Sequence, residues 1–171
     1  SYSGNYFYGG NDNIFIGNNS GYGVKNTTTT ANNNIFIGSD AGRLISTGNN
    51  NTFVGTESGY ANNTGSFNLF LGYQSGYSNT AGNQNTFVGY QSGKSNTTGT
   101  ENLFLGASAG ASNSTGNYNT FLGQYCGQNN TTGNSNIFIG PLTGNANSTG
   151  SSNIFFGRFA GYANTTGFYN L

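Results

Sequence analysis

A phenylalanine returns at a fixed interval along most of this chain. Phe36, Phe53, Phe70, Phe87, Phe104, Phe121, Phe138 and Phe155 are each 17 residues from the next. A strict period of that length constrains the fold before any local pattern is read. Each unit is one small structural element that can bury its apolar face only by stacking on its neighbours. Every one of these phenylalanines sits in Asn-x-Phe-x-Gly. A ninth copy, Asn13 to Gly17, precedes them by 21 residues, with the four extra residues lying around Lys25 to Ala31. A tenth opens at Asn170-Leu171. The organisation read from this is an atypical stretch over 1–12, a first coil with an insertion over 13–33, and eight repeats over 34–169. Residues 170–171 begin a further repeat, as expected for a stretch of a longer array.

The unit from Asn85 to Glu101 shows the recurring grammar. Asparagine opens it, Thr, Ile or Leu follows, phenylalanine is fixed, and an aliphatic residue and glycine come next. A small residue with glycine follows (Ser58-Gly59, Ser75-Gly76, Ala109-Gly110), and Asn-x-Thr-Gly closes most units. The β-branched and aromatic core reads as a short strand bounded by turn formers. At about 3.3 Å per residue, 17 residues are expected to close one coil of two short strands and two turns. Coils stacked at about 4.8 Å would make nine of them a rod roughly 45 Å long. The fold class expected is therefore all-β, a parallel β-solenoid. The composition fits it. Charged residues are 5% of the chain, against roughly 25% in an ordinary soluble domain, while aromatics reach 15% and glycine 30 residues. Asparagine tolerates tight corners and can form hydrogen-bonded ladders when stacked. Asn62, Asn79, Asn96, Asn113, Asn130, Asn147 and Asn164 are the candidate ladder and turn column.

The strand is apolar on both sides. Side chains alternate along a strand, so Phe87 points one way while Thr86 and Val88 point the other. One face fills the coil and the phenylalanine column becomes core. The other is expected to be covered by further copies of the chain, since a continuous exposed stripe would be a large apolar patch.

The Asn-Thr-Phe-Val-Gly strand with its small-Gly and Thr-Gly turns resembles the head repeats of trimeric, YadA-like autotransporter adhesins. It is also similar to Asn-Thr-Phe-x-Gly repeats of bacterial surface filaments and phage tail fibres. The resemblance covers 13–171. It implies a coaxial homo-oligomeric fibre, a trimer being the expected number with higher numbers open, displayed extracellularly on a cell or virion surface. The repeat here is longer than the adhesin head repeat, and its phenylalanine is fixed.

The chain offers little for catalysis. It has no histidine, the usual general base and metal ligand. Asp12, Asp40, Glu57 and Glu101 fall in different units, which argues against a carboxylate pair or a calcium site. No enzyme activity, cofactor or metal is expected. Zero net charge with four cations leaves no footprint for nucleic acid, and no apolar run is long enough for a membrane helix. The single cysteine, Cys126, excludes an internal disulfide and reads as a small residue packed at a corner. Asn62, Asn96, Asn113, Asn147 and Asn164 open glycosylation sequons that the repeat itself generates. A threonine column (Thr64, Thr98, Thr115, Thr132, Thr149, Thr166) and tyrosine columns (Tyr60, Tyr77 and Tyr162; Tyr73 and Tyr90) are candidate ligand faces. The function expected is a structural segment of an adhesive extracellular filament that attaches to a cell surface, glycan or protein. The alternative is a binding module for ice or carbohydrate.

Overall fold

The structure is a computed structural model and describes residues 3–6, 9–25, 27 and 29–171. The stretch 1–12 and the insertion near Lys25 therefore fall partly outside the described residues. The chain is a parallel β-solenoid. Among the described residues nine three-residue strands, β1 (Ile14–Ile16), β2 (Ile35–Ile37), β3 (Thr52–Val54), β4 (Leu69–Leu71), β5 (Thr86–Val88), β6 (Leu103–Leu105), β7 (Thr120–Leu122), β8 (Ile137–Ile139) and β9 (Ile154–Phe156), form one sheet in chain order. Each pairs in parallel with the next, phenylalanine beside phenylalanine at every step.

Parallel strands normally need a long crossover. Here the crossover is the coil itself. The expectation of two strands per coil is corrected: among the described residues each coil carries one, and turns make the rest. Those turns still bond from coil to coil. In the coil of β6, Ser108 N–H donates to Tyr90 O (2.8 Å), Gly110 to Cys126 O (3.0 Å) and Ser112 to Gln128 O (2.9 Å). Tight bonds three residues back, such as Asn113 N–H to Gly110 O at 3.0 Å, fold the corner. The ladder thus continues around the coil although the backbone has left the β region.

Two corners of each coil hold a non-glycine residue in the left-handed region. One column contains Gln91 (φ 54°) and Leu142 (φ 60°), the other Phe67 (φ 60°) and Tyr118 (φ 59°). Glycine is required two residues after the first corner. A Cβ on Gly93 (φ +57°) would stand 2.5 Å from the Phe87 ring, and the same holds at Gly59 and Phe53. The glycine column lets the ring lie flat against the returning backbone.

The core is a single file. Phe36, Phe53, Phe70, Phe87, Phe104, Phe121 and Phe138 are wholly buried. Their rings stack with centroids 4.7–5.0 Å apart and planes 5–9° from parallel. Phe15 and Phe155 continue the file at either end, at 5.3 and 5.2 Å. The ring spacing equals the strand spacing, so backbone ladder and aromatic stack reinforce each other.

Candidate functional site

Beside the phenylalanine file the interior holds a few small apolar chains and Ile45 but is mostly polar, which a protein core tolerates only when each group is bonded. Two asparagine columns meet that condition. Asn96 Nδ2 donates to Asn79 Oδ1 (2.8 Å) and to Gly99 O (3.0 Å); Asn113 Nδ2 repeats the pattern on Asn96 Oδ1 (2.8 Å) and Gly116 O (3.1 Å). The column runs from Asn62 to Asn164, and Asn62, Asn79, Asn96, Asn113, Asn130 and Asn147 are fully buried. These residues therefore lie inside the coil, away from any surface that a ligand or glycan-transferring enzyme could reach. Their amide nitrogens, the atoms a glycan would need, are already committed.

The second column opens each strand and was not assigned a ladder role from sequence. Asn102 Nδ2 donates to Asn85 Oδ1 (3.1 Å) and Gly116 O (2.8 Å), while Asn102 N–H also donates to Asn85 Oδ1 (3.0 Å). An opening asparagine resembles a turn former in sequence; only its recurrence at every unit hinted at more. Ser58, Ser75 and Ser92 complete the interior, their hydroxyls donating to the phenylalanine carbonyl of the next coil at 3.0–3.1 Å. Cys126 stands in this column and its thiol donates to Phe138 O at 3.2 Å. Burial pushes that thiol up to about 12, so it is a packed S–H rather than a nucleophile. Among the described residues no buried side-chain nitrogen or oxygen lacks a partner.

On the surface, the tyrosines stack along the rod. Tyr60 and Tyr77 lie 5.0 Å apart with planes at 12°, Tyr73 and Tyr90 5.6 Å apart at 14°. Stacking uses the ring faces, so edges and hydroxyls are what most of each column presents to solvent. Arg43 fills a gap in the first column, its guanidinium 5.6 Å from the Tyr22 ring and 5.7 Å from Tyr60, while bonding Asp40 at 3.0 Å. Burial, followed by the Glu57 carboxylate, raises the Tyr77 phenol above its ordinary value. Tyr162 is separate, edge-on to Phe159 at 5.6 Å. Between these columns in sequence runs a short ladder, Gln91 Nε2 to Gln74 Oε1 (2.8 Å) and Gln74 Nε2 to Glu57 Oε2 (2.7 Å). Thr64, Thr98, Thr115, Thr132, Thr149 and Thr166 are exposed as one column. Its asparagine neighbour is buried, so the two do not share a face.

Asp40 and Glu57 occupy the same corner position of adjacent coils, and no group of three His, Cys, Asp or Glu comes together among the described residues. A shallow groove of about 430 Å³ follows the corner from Asn11 and Asp12 to Ser66 and Phe67, with one carboxylate in it. No helix among the described residues is long and apolar enough to cross a membrane.

The largest apolar feature is the outer face of the sheet. The residues flanking each phenylalanine point away from the core: Ile14, Ile16, Ile35, Leu105, Ile137 and Phe156 are exposed, and their companions are half-buried. The interior does not widen to take both sides of the strand. No family model, curated protein or solved structure matches the chain.

Proposed function

We propose that this chain is a rigid structural segment of an extracellular adhesive filament, presented on a cell or virion surface and assembled with further copies of itself. The observation that carries this reading is uniformity. The same ring stack and the same corners recur coil after coil, two asparagine ladders run beside them, and among the described residues no coil gathers a distinct set of reactive groups. A rod of this kind resists bending and proteolysis through its continuous ladders. Repetition gives reach and many weak contacts, whose sum rises with the number engaged. The likeness of the repeat to adhesin and tail-fibre repeats points the same way.

Small-angle scattering, limited proteolysis and binding measurements test it together. The expected outcome is rod-like scattering, slow cleavage, and attachment to cells or glycan surfaces that grows with the density of immobilised chain. Saturable binding of one oligosaccharide by the isolated chain, or arrest of ice growth abolished by Thr98→Val with Thr115→Val, would instead establish a dedicated ligand face.

A further inference from the structure

The outer sheet face is corrugated over its middle strands, at twice the spacing of the coils. β3 presents Thr52 and Val54, β4 Leu69 and Leu71, β5 Thr86 and Val88, β6 Leu103 and Leu105, and β7 Thr120 and Leu122. The small pairs on β3 and β5 are grooves, and the leucine pairs on β4 and β6 are ridges; β7 is small at its first position. The isoleucines of β8 make a further ridge. From β2 to β8 ridge follows groove with a period of two coils, roughly 10 Å at the usual strand spacing, while β1 with Ile14 and Ile16 and β9 with Ile154 and Phe156 add a second ridge beside each end. No charged residue occupies either row. A partner that fits such a surface has ridges and grooves at the same spacing, which a second copy of this chain supplies.

We propose that two copies of this chain pair face to face through the outer sheet, running antiparallel and offset so that the ridges of one enter the grooves of the other. Symmetry selects the direction. A two-fold axis parallel to the rods, or a coaxial three-fold, sets each coil at the height of the same coil in the partner, ridge against ridge. A parallel pair staggered by one coil fits ridges to grooves but closes no symmetry, whereas stable homo-oligomers are overwhelmingly symmetric. A two-fold axis along the strand direction, passing between β5 and β6, satisfies both demands over β3 to β8. It seats β5 on β6 of the second copy, β4 on β7 and β3 on β8, first position opposite first position; at the ends the large residues of β2 and β9 meet each other and β1 lies beyond the overlap. Leu69 then meets Thr120, Leu103 meets Thr86, and Ile137 meets Thr52.

The area is sufficient. The eight overlapping strands, β2 to β9, at about 4.8 Å and two rows of side chains give a footprint of roughly 38 by 14 Å. That is roughly 550 Å² in projection and more once the corrugation is followed, which brings a pair into the range of roughly 1,200 Å² in total that specific interfaces occupy. Exposed as a continuous patch, the same face lies at the upper end of what monomers present. The sheet is also suited to mating along its length. Many-stranded sheets stay flat when stacks and side-chain ladders hold them, and from β2 to β8 each phenylalanine plane lies only 5–9° from that of its neighbour.

The pairing rests on the filament reading only for its setting, and its test is separate from that of the rod. Sedimentation and native mass measurement of the intact chain should give a species of twice 17.8 kDa. Leu69→Asp with Leu103→Asp, both on the outer face, should weaken pairing roughly tenfold or more while the circular-dichroism melt persists. For direction, a Leu69→Cys copy mixed with a Thr120→Cys copy under mild oxidation should cross-link to it, and neither should cross-link to itself. Cys126 is buried and does not interfere. A monomer at every concentration, or a trimer, overturns the pair. Self-linking of the Leu69→Cys copy overturns the antiparallel register. Rod-like scattering by a monomer would leave the structural reading standing while removing this one.

Discussion

At the scale of single residues, the interior is governed by donor and acceptor arithmetic. Asn96 gives hydrogens to Asn79 Oδ1 and Gly99 O and receives one from Asn113. Asn96→Asp would set a carboxylate against two acceptors and should cost several kcal/mol, by the usual penalty for an unpaired buried charge. Ile45, wholly buried in the equivalent position of the second coil, shows that the site accepts an apolar chain, so Asn96→Ile should cost at least about 2 kcal/mol less than Asn96→Asp. Chemical denaturation measures both, and equal losses would mean that the ladder is incidental. The left-handed corners predict the opposite sign. Phe67 is exposed with φ at 60°; Phe67→Asn should stabilise the chain by roughly 0.5–1 kcal/mol, since asparagine tolerates that region. Cys126 contributes a pH dependence. Its folded value of about 12 lies above the ordinary value of 9.0, so its contribution is intact below pH 9 and is lost as pH rises from there toward 12. Cys126→Ser, which restores the serine found at Ser92, should remove that part of the alkaline destabilisation in thermal melts.

At the scale of the element, each coil is a strand, a ring and a glycine that must fit together. Phe87→Ser with Phe104→Ser removes two adjacent rings from the stack and should destabilise by more than about 4 kcal/mol, the range for emptying aromatic core positions. Because the rings touch, the double loss should differ from the sum of the singles. Unchanged melting would show that the stack is not core. How much of this the sequence carried depends on the signal. The strand, the inward phenylalanine and the outward apolar rows were legible, because period two and period 17 coincide at Asn-x-Phe-x-Gly. The second strand expected in each coil is absent among the described residues, because residues such as Gln91 and Ser108 bond coil to coil from corner conformations that carry no alternation pattern. The strand-opening asparagines read as turn formers, a role that residue type shares, and only their recurrence pointed to a ladder. The tyrosine columns were readable as columns, while their face-to-face stacking needed coordinates.

At the scale of the whole molecule, stability is close to a sum over coils and their contacts. Deleting residues 85–101 removes one coil in register, so the shortened rod should still melt cooperatively with a modest drop. Removal of 16 residues instead would break the phenylalanine alignment and the fold with it. The same deletions probe the pairing. Loss of one coil sets β4 beside β6, two ridges together, and should abolish the pair. Loss of two, residues 85–118, sets β4 beside β7, restores the alternation and should restore it, as sedimentation would report. Pairing that ignores this parity would mean that the corrugation does not guide assembly.

The asparagine columns have one further consequence. In both of them each amide-to-amide bond gives its hydrogen toward the preceding coil and its oxygen to the next, as from Asn51 to Asn34 and Asn153 to Asn136 in one and from Asn79 to Asn62 and Asn164 to Asn147 in the other. Asn85 joins its column through its backbone N–H, which donates to Asn68 Oδ1. An amide carries about 3.5 D, and dipoles aligned head to tail polarise one another. A chain with zero net charge thus has an electrical direction along its axis, as a bar magnet has a magnetic one. Like bar magnets laid side by side, two such rods attract when they point opposite ways and repel when they point the same way.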